Sequence, residues 1–250
     1  WIFRMLGIVV VPDDSIGTVV KKFVLFGAHR ELPKGRVVAV LGEAGLQADT
    51  LAPGVHFFLW PWQVRVELVK FTVVPDGHVG VVEACDGNPL PDGRVIAAHV
   101  ECDHFQDART FLGRGGERGT QMTVIPPGTW RINTLLFTVH LEPMTVIEPG
   151  RIGTIEARDG APLAPGRVIG RQVACDTFQD AHAFMAHGGQ RGPQMGIVPQ
   201  GKYRINPRLF KVTQVGVLDV PDNKLGIVTT RDGAPLATGE IAGAEVPGHN

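Results

Sequence analysis

Apolar residues along this chain come in short runs that stop at Pro, Asp or Gly and then begin again. From Phe71 the run FTVV is apolar and β-branched, PDG follows, and VGVVEA is again largely apolar. Pro presets φ, Asp tolerates turn geometry and Gly accepts φ > 0, so Pro75-Asp76-Gly77 predicts a turn between two strands. The segment DGNPLPDG, residues 86–93, predicts a longer connection, and GRVIAAHV a third strand. The spacing then changes. Phe105, Ala108, Phe111 and Leu112 keep helical intervals, with Asp103 as the expected N-cap and Gly115-Gly116 as the stop. MTVIPPGTWRIN predicts another strand–turn–strand around Pro127-Gly128, and LLFTVHLEP leads into the next run.

The whole pattern then repeats. VPDDSIG (Val11–Gly17) returns as VPDGHVG (Val74–Gly80), IEPGRIG (Ile147–Gly153) and VPDNKLG (Val220–Gly226). The phrase with FQDA, GG, RG, QM and RIN occurs twice, Phe178 answering Phe105 at a shift of 73 residues (178 minus 105), and roughly half of residues 71–139 are identical in 144–212. Self-similarity of this kind predicts serial structural units in contact mainly with their neighbours. The expected divisions are 1–6 as the end of an upstream membrane segment, 7–70 as a shorter first unit, 71–143 and 144–216 as full units, and 217–250 as a truncated fourth. In the first unit GRVVAV matches GRVIAA and APGVHF matches PPGTWR, whereas LGEAGLQADTL replaces both the helix and the GGxRGxQ loop. The expected fold is therefore mainly β, a tandem array of small antiparallel modules with one short helix per full-length unit.

Duplication also serves as an internal control on chemistry, since a catalytic residue is expected once and a shape-keeping residue in every copy. The repeated set is Asp103, Phe105, Asp107, Phe111, Gly115, Gly116, Arg131 and Asn133, answered by Asp176, Phe178, Asp180, Phe184, Gly188, Gly189, Arg204 and Asn206. Asp107/Arg131 and Asp180/Arg204 predict ion pairs joining helix to RIN strand, with Asn133 and Asn206 closing a turn. Gly87, Gly160 and Gly233 each follow an Asp and are expected at φ > 0. GRGGERG lacks the final Gly of a dinucleotide loop and follows its helix, which predicts helix termination rather than phosphate binding. His182 and His187 are answered by Arg109 and Arg114, so surface histidines are expected rather than a metal site. No catalytic, cofactor-binding or metal-binding residue is predicted. Trp60 and Trp62, flanking Pro61, are expected as interface aromatics or as core at the junction of the first two units.

Composition adds bounds. The 250 residues are 44% hydrophobic with a net charge of -1, which supports a core and gives no electrostatic reason to expect nucleic acid. Three cysteines make no disulfide framework, and Cys102 and Cys175 match in register as small apolar residues. No run reaches the length of a bilayer span. Trp1 cannot be a translational start, so the chain is expected to be a processed or partial piece, with WIFRM as the exit of a membrane helix.

The phrases GIVVVPDDSIGTVVKKFVLFG, GEAGLQADTLAPGVHFFLWPWQ, FQDA, GGxRGxQ and RIN resemble the N-terminal part of large bacterial flotillin-like proteins of the stomatin/prohibitin/flotillin (SPFH, Band 7) superfamily. The serial β modules also resemble vault-type repeats, whose staves build a closed cage. These resemblances imply a non-enzymatic, membrane-associated scaffold: a homo-oligomeric ring or cage that organises membrane and partner proteins. They imply a bacterial inner membrane reached through a segment upstream of Trp1, with this portion in a soluble compartment. The other reading is a repeat array that binds peptide or glycan through Asp107/Arg131 and Asp180/Arg204.

Overall fold

The computed structural model describes residues 5–24, 32, 35–233, 236 and 238–243. Residues 1–4 of the expected membrane-segment remnant and 244–250 of the expected fourth unit lie outside them. The described chain is mainly β, 39% strand and 6% helix, in several small sheets with two short helices.

The first unit contains β1 (Val9–Val11), β2 (Ser15–Lys21), β3 (Val38–Ala39), β4 (Gly45–Leu51), β5 (Gly54–His56) and β6 (Val64–Lys70). Its main sheet has the order β3-β4-β2-β6, and β1 pairs with β5 as a separate ribbon. The second contains β7 (Thr72–Val74), β8 (His78–Ala84), α1 (Ala108–Gly113), β9 (Gly119–Ile125), β10 (Gly128–Trp130) and β11 (Phe137–Pro143). The third contains β12 (Thr145–Ile147), β13 (Arg151–Ala157), α2 (Ala181–Ala186), β14 (Gly192–Val198), β15 (Gly201–Tyr203) and β16 (Phe210–Gly216). In both, the long sheet places β8 or β13 between two antiparallel neighbours, and the short strands form a ribbon. Register repeats as closely as topology: β2–β4, β8–β9 and β13–β14 carry a bulge at Thr18/Val20, Val81/Glu83 and Thr154/Glu156. Beyond Gly216 the described residues are mostly exposed and form no strand.

Two expectations need correcting. GRVIAAHV is not a strand: only Ala97 bridges, in parallel, to Gln121, as Gly170 does to Gln194. In the first unit the same segment is the two-residue β3, also parallel to β4. The helix starts later than expected, because Asp103, His104 and Phe105 have φ of 51°, 51° and 66°, and Asp176, Thr177 and Phe178 repeat this left-handed turn. Asp103 therefore caps nothing. Asp107 and Asp180 are the N-caps, accepting the N–H of Thr110 and Ala183. The turn swings Phe105 back under the helix, where it meets Phe137 at 5.3 Å and, with Phe111, forms a three-ring cluster. Phe178, Phe184 and Phe210 repeat it. Fully burying each ring contributes about 1.5–3 kcal/mol, enough to hold three residues at positive φ.

The cores straddle the unit boundaries. One cluster joins Val38 and Ala48 of the first unit to Val82, Phe105, Phe111 and Phe137 of the second. The next joins Ile96 and Met122 of the second unit to Ile155, Phe178, Phe184 and Phe210 of the third. The first unit lacks the helix, has Val64 where Phe137 and Phe210 stand, and keeps a smaller cluster of Val19, Val64 and Val66. Contrary to the expectation for its loop, GEAGLQ is the loop of the other units: Gln47 donates to the carbonyls of Glu43 and Gly45, as Gln121 does to Glu117 and Gly119. Of helix and loop, only the helix is missing. Trp60 and Trp62 do not pack at the junction with the second unit: Trp60 covers Gly7, and the exposed Trp62 stacks on Phe23 at 5.7 Å.

Gly87, Gly160 and Gly233 have φ of 139°, 136° and 122°. A Cβ on Gly87 would lie 2.4 Å from the Gly116 carbonyl and one on Gly160 2.6 Å from that of Gly189, whereas one on Gly233 meets nothing. Gly233→Ala should therefore cost about 1 kcal/mol from backbone strain alone. Gly87→Ala and Gly160→Ala should cost about 1–3 kcal/mol more. Thermal melts of the three variants decide this, and equal losses would contradict the close approach.

Candidate functional site

The repeated polar residues converge on the boundaries between units, where they form two clasps. In the first, an Asp at the start of the long connection of one unit reaches back to the unit before it. Asp86 accepts the N–H groups of Val37 and Val38 at 2.7 and 2.6 Å. Asp159 accepts those of Val95 and Ile96 at 2.9 and 3.0 Å, and Asp232 those of Val168 and Ile169 at 3.0 and 2.8 Å. The N–H of the following Gly closes on the same carboxylate each time. An Arg of the preceding unit completes it: Arg36 at 3.9 Å, Arg94 at 3.0 Å and Arg167 at 2.6 Å. Burial raises the pKa of the Asp159 carboxyl, but the N–H groups of Val95 and Ile96, the Arg94 guanidinium and the Gly160 N–H outweigh it. The net effect is a value below that of an ordinary carboxyl.

The second clasp is the Asn of RIN. Asn133 is buried, accepts the N–H of Leu135 within its own turn, and donates from Nδ2 to the carbonyls of Gln47 and Ala48 in the first unit. Asn206 accepts from Arg208 and donates to Gln121 and Met122 in the second. The turn closure is as expected; the reach into the preceding unit has no local sequence signal.

The expected Asp107/Arg131 and Asp180/Arg204 ion pairs do not form. Both carboxylates are occupied as helix caps, and the helix is tied to the RIN strand by glutamines instead. Gln106 Oε1 accepts the N–H of Arg131 at 3.0 Å, and Gln179 Oε1 that of Arg204 at 3.0 Å. The guanidinium groups of Arg131 and Arg204 are exposed and make no ion pair among the described residues. Gly115 and Gly188 have φ of 82° and 73° and end the helices, and Gly116 and Gly189 lie against the rings of Phe111 and Phe184.

Side chains at the margins differ between boundaries. Arg109 pairs with Asp49 across the first. Its counterpart His182 meets His99 in a tilted ring contact at 4.7 Å across the second, and Nδ1 of His99 lies 2.8 Å from the Thr123 hydroxyl. His99 is thus not the solvated surface histidine expected; desolvation and the neighbouring His182 lower its pKa. Beside it opens a cleft of about 290 Å³, lined among others by His104, Asp176, Asp180, His182 and Arg204. Cys102 and Cys175 are buried, and burial pushes the Cys102 thiol up to about 11, far from a reactive thiolate. Among the described residues no cluster of three or more His, Cys, Asp or Glu could hold a metal, and no helix is long and apolar enough to cross a membrane.

No protein-family model matches the chain, and no curated protein matches it.

The clasps make a pH prediction. Because the folded value of Asp159 lies below its unfolded one, its contribution to stability is present above the ordinary carboxyl value of 3.8. It is lost as pH falls through the lowered value. Asp159→Ala should cost about 1–3 kcal/mol at pH 7, since the buried Ile96 N–H and its Val95 neighbour lose a charged acceptor. Asp159→Asn should lose part of that stability and flatten the acid limb of the unfolding profile. An acid limb unchanged in Asp159→Asn would remove this clasp as its source.

Proposed function

We propose that this chain is a non-enzymatic scaffold, a stave of serial β units that lies beside identical copies in a large ring or cage on a membrane. The observation that carries the reading is where the repeated polar residues are spent. Asp86, Asp159, Asp232, Asn133 and Asn206 all bond across unit boundaries. A chain that commits its repeated polar groups to joining its own units is built for fixed length and direction. The same side of every unit also offers an edge strand, β6, β11 or β16, paired on one side only. Open edges of this kind favour association with further copies. The flotillin-like phrases support a membrane setting reached through a segment upstream of Trp1, with membrane proteins as partners.

The second reading, a repeat array for peptide or glycan, is favoured by one observation: Arg204 lines the cleft at the second boundary and its guanidinium is unpaired among the described residues. The two are separable. Electron microscopy of the intact protein in detergent should show a ring or cage of many subunits, and a stable monomer at micromolar concentration would defeat the scaffold. If the array binds ligands, Arg131→Ala and Arg204→Ala should weaken binding while leaving the melting temperature nearly unchanged, because neither guanidinium holds the fold.

A further inference from the structure

The two unit boundaries are built from corresponding positions, so they specify what a third would need. At the first boundary Val38 and Ala48 are 1% and 3% exposed, and at the second Ile96 and Met122 are likewise 1% and 3% exposed. The corresponding residues of the third unit are Ile169 and Met195. Met195 is 52% exposed, and Ile197 beside it on β14 is 53% exposed. Yet one clasp is already closed on this face, since Asp232 holds the N–H groups of Val168 and Ile169 as Asp159 holds those of Val95 and Ile96. What the other two boundaries have in addition is a helix over the apolar positions and an Asn amide on two strand carbonyls. In the third unit those carbonyls belong to Gln194 and Met195.

We propose that the downstream face of the third unit is a docking surface for one kind of occupant, the second half of a further unit, carrying an FQDA helix, a GGxRGxQ loop and a RIN turn. The occupant's phenylalanines would cover Met195 and Ile169, and its Asn would bond the Gln194 and Met195 carbonyls.

An intact second copy does not fit this face. The N–H of Lys22 bonds Gln63 as that of Cys85 bonds Leu136, which aligns Phe23 with Asp86 and Trp60 with Asn133. The first unit therefore has an aromatic residue at each clasp position and no helix, so it cannot grip a unit ahead of it. The second and third units have already spent their clasps within the chain. The first unit thus cannot grip a unit ahead of it, whereas Met195 and Ile197 of the third unit are exposed, and only a unit with Asn and helix completes that face. The inference rests on the clasps and not on lateral assembly, so a monomer in electron microscopy leaves it standing.

The test extends the whole chain. Asp232 lies 73 residues after Asp159 (232 minus 159), so a copy of residues 178–216 placed directly after Asn250 continues the fourth unit in register. Oxidation by peroxide is read at Met195 by mass spectrometry, with the buried Met122 as internal reference. In the 250-residue chain Met195 should oxidise at least about tenfold faster than Met122, and in the extended chain within about threefold of it. Replacing the appended copy of Asn206 by Ala should restore part of the difference. Met195 oxidising as fast in the extended chain as in the original would overturn the proposal, whether the added segment folded elsewhere or not at all. Protection of Met195 on merely concentrating the 250-residue chain would overturn the choice of occupant in favour of a second copy.

Discussion

The structure depends on a carboxylate that reaches backward. In each unit after the first, an Asp at the head of the connection between β strands accepts two consecutive backbone N–H groups of the preceding unit, plus the N–H of its own following Gly. Those N–H groups sit where a third strand would otherwise form. Pairing the buried donors of Val38 and Ile96 with a charge removes a penalty of about 1–3 kcal/mol each, and the bonds together fix the angle at which one unit follows the next. Gly is required beside Asp86 and Asp159 because the chain turns at positive φ directly against the loop that ends the helix, leaving no room for a Cβ. Asp, Gly, helix stop and boundary are one construction.

The helix is the second layer of that construction. Its three-phenylalanine cluster fills the space above the sheet and covers apolar residues of the unit before it, so the core of a full unit is complete only when its predecessor is in place. The first unit has no helix between β3 and β4, and Val64 stands where the full units place the large ring. Helix, ring, Asp and Asn are absent from that unit together, as parts of one construction would be.

Much of this was legible in the sequence, for a physical reason. Pro and Gly punctuate strands locally, so the strand–turn–strand segments and the positive φ of Gly87, Gly160 and Gly233 follow from residue type. What failed were readings in which a local rule met a distant partner. Asp103 and Asp107 are both plausible caps, and the choice fell to Asp107 because Phe105 has to turn back to reach Phe137. GRVIAAHV has strand composition, but the N–H groups of Val95 and Ile96 are taken by Asp159, more than sixty residues away, leaving one bridge. The Asp107/Arg131 pairing rested on opposite charge alone; a cap at short range outcompetes a solvent-exposed ion pair worth about 0–1 kcal/mol. The loop of the first unit was missed because its missing helix hid the shared G-x-x-G-x-Q spacing, although Gln47 makes the same two bonds as Gln121 and Gln194.

Constant clasps with variable margins have an energetic consequence. In a linear array, stability is a sum of unit terms and nearest-neighbour terms. Here the clasps repeat the same bonds at each boundary, while Arg109–Asp49 at one and His99–His182 at the other make the margins unequal. An exposed ion pair weakens with salt. A histidine pair whose inner ring has a lowered pKa is opposed by acid, with Glu101 and Asp180 the nearby acids that work against that loss. The boundaries can therefore respond to different conditions while the backbone geometry that sets the length and direction of the array stays the same. The first unit, with its small cluster, depends on the second, since Val38 and Ala48 are buried in the core the two units share and not in the cluster of Val19, Val64 and Val66.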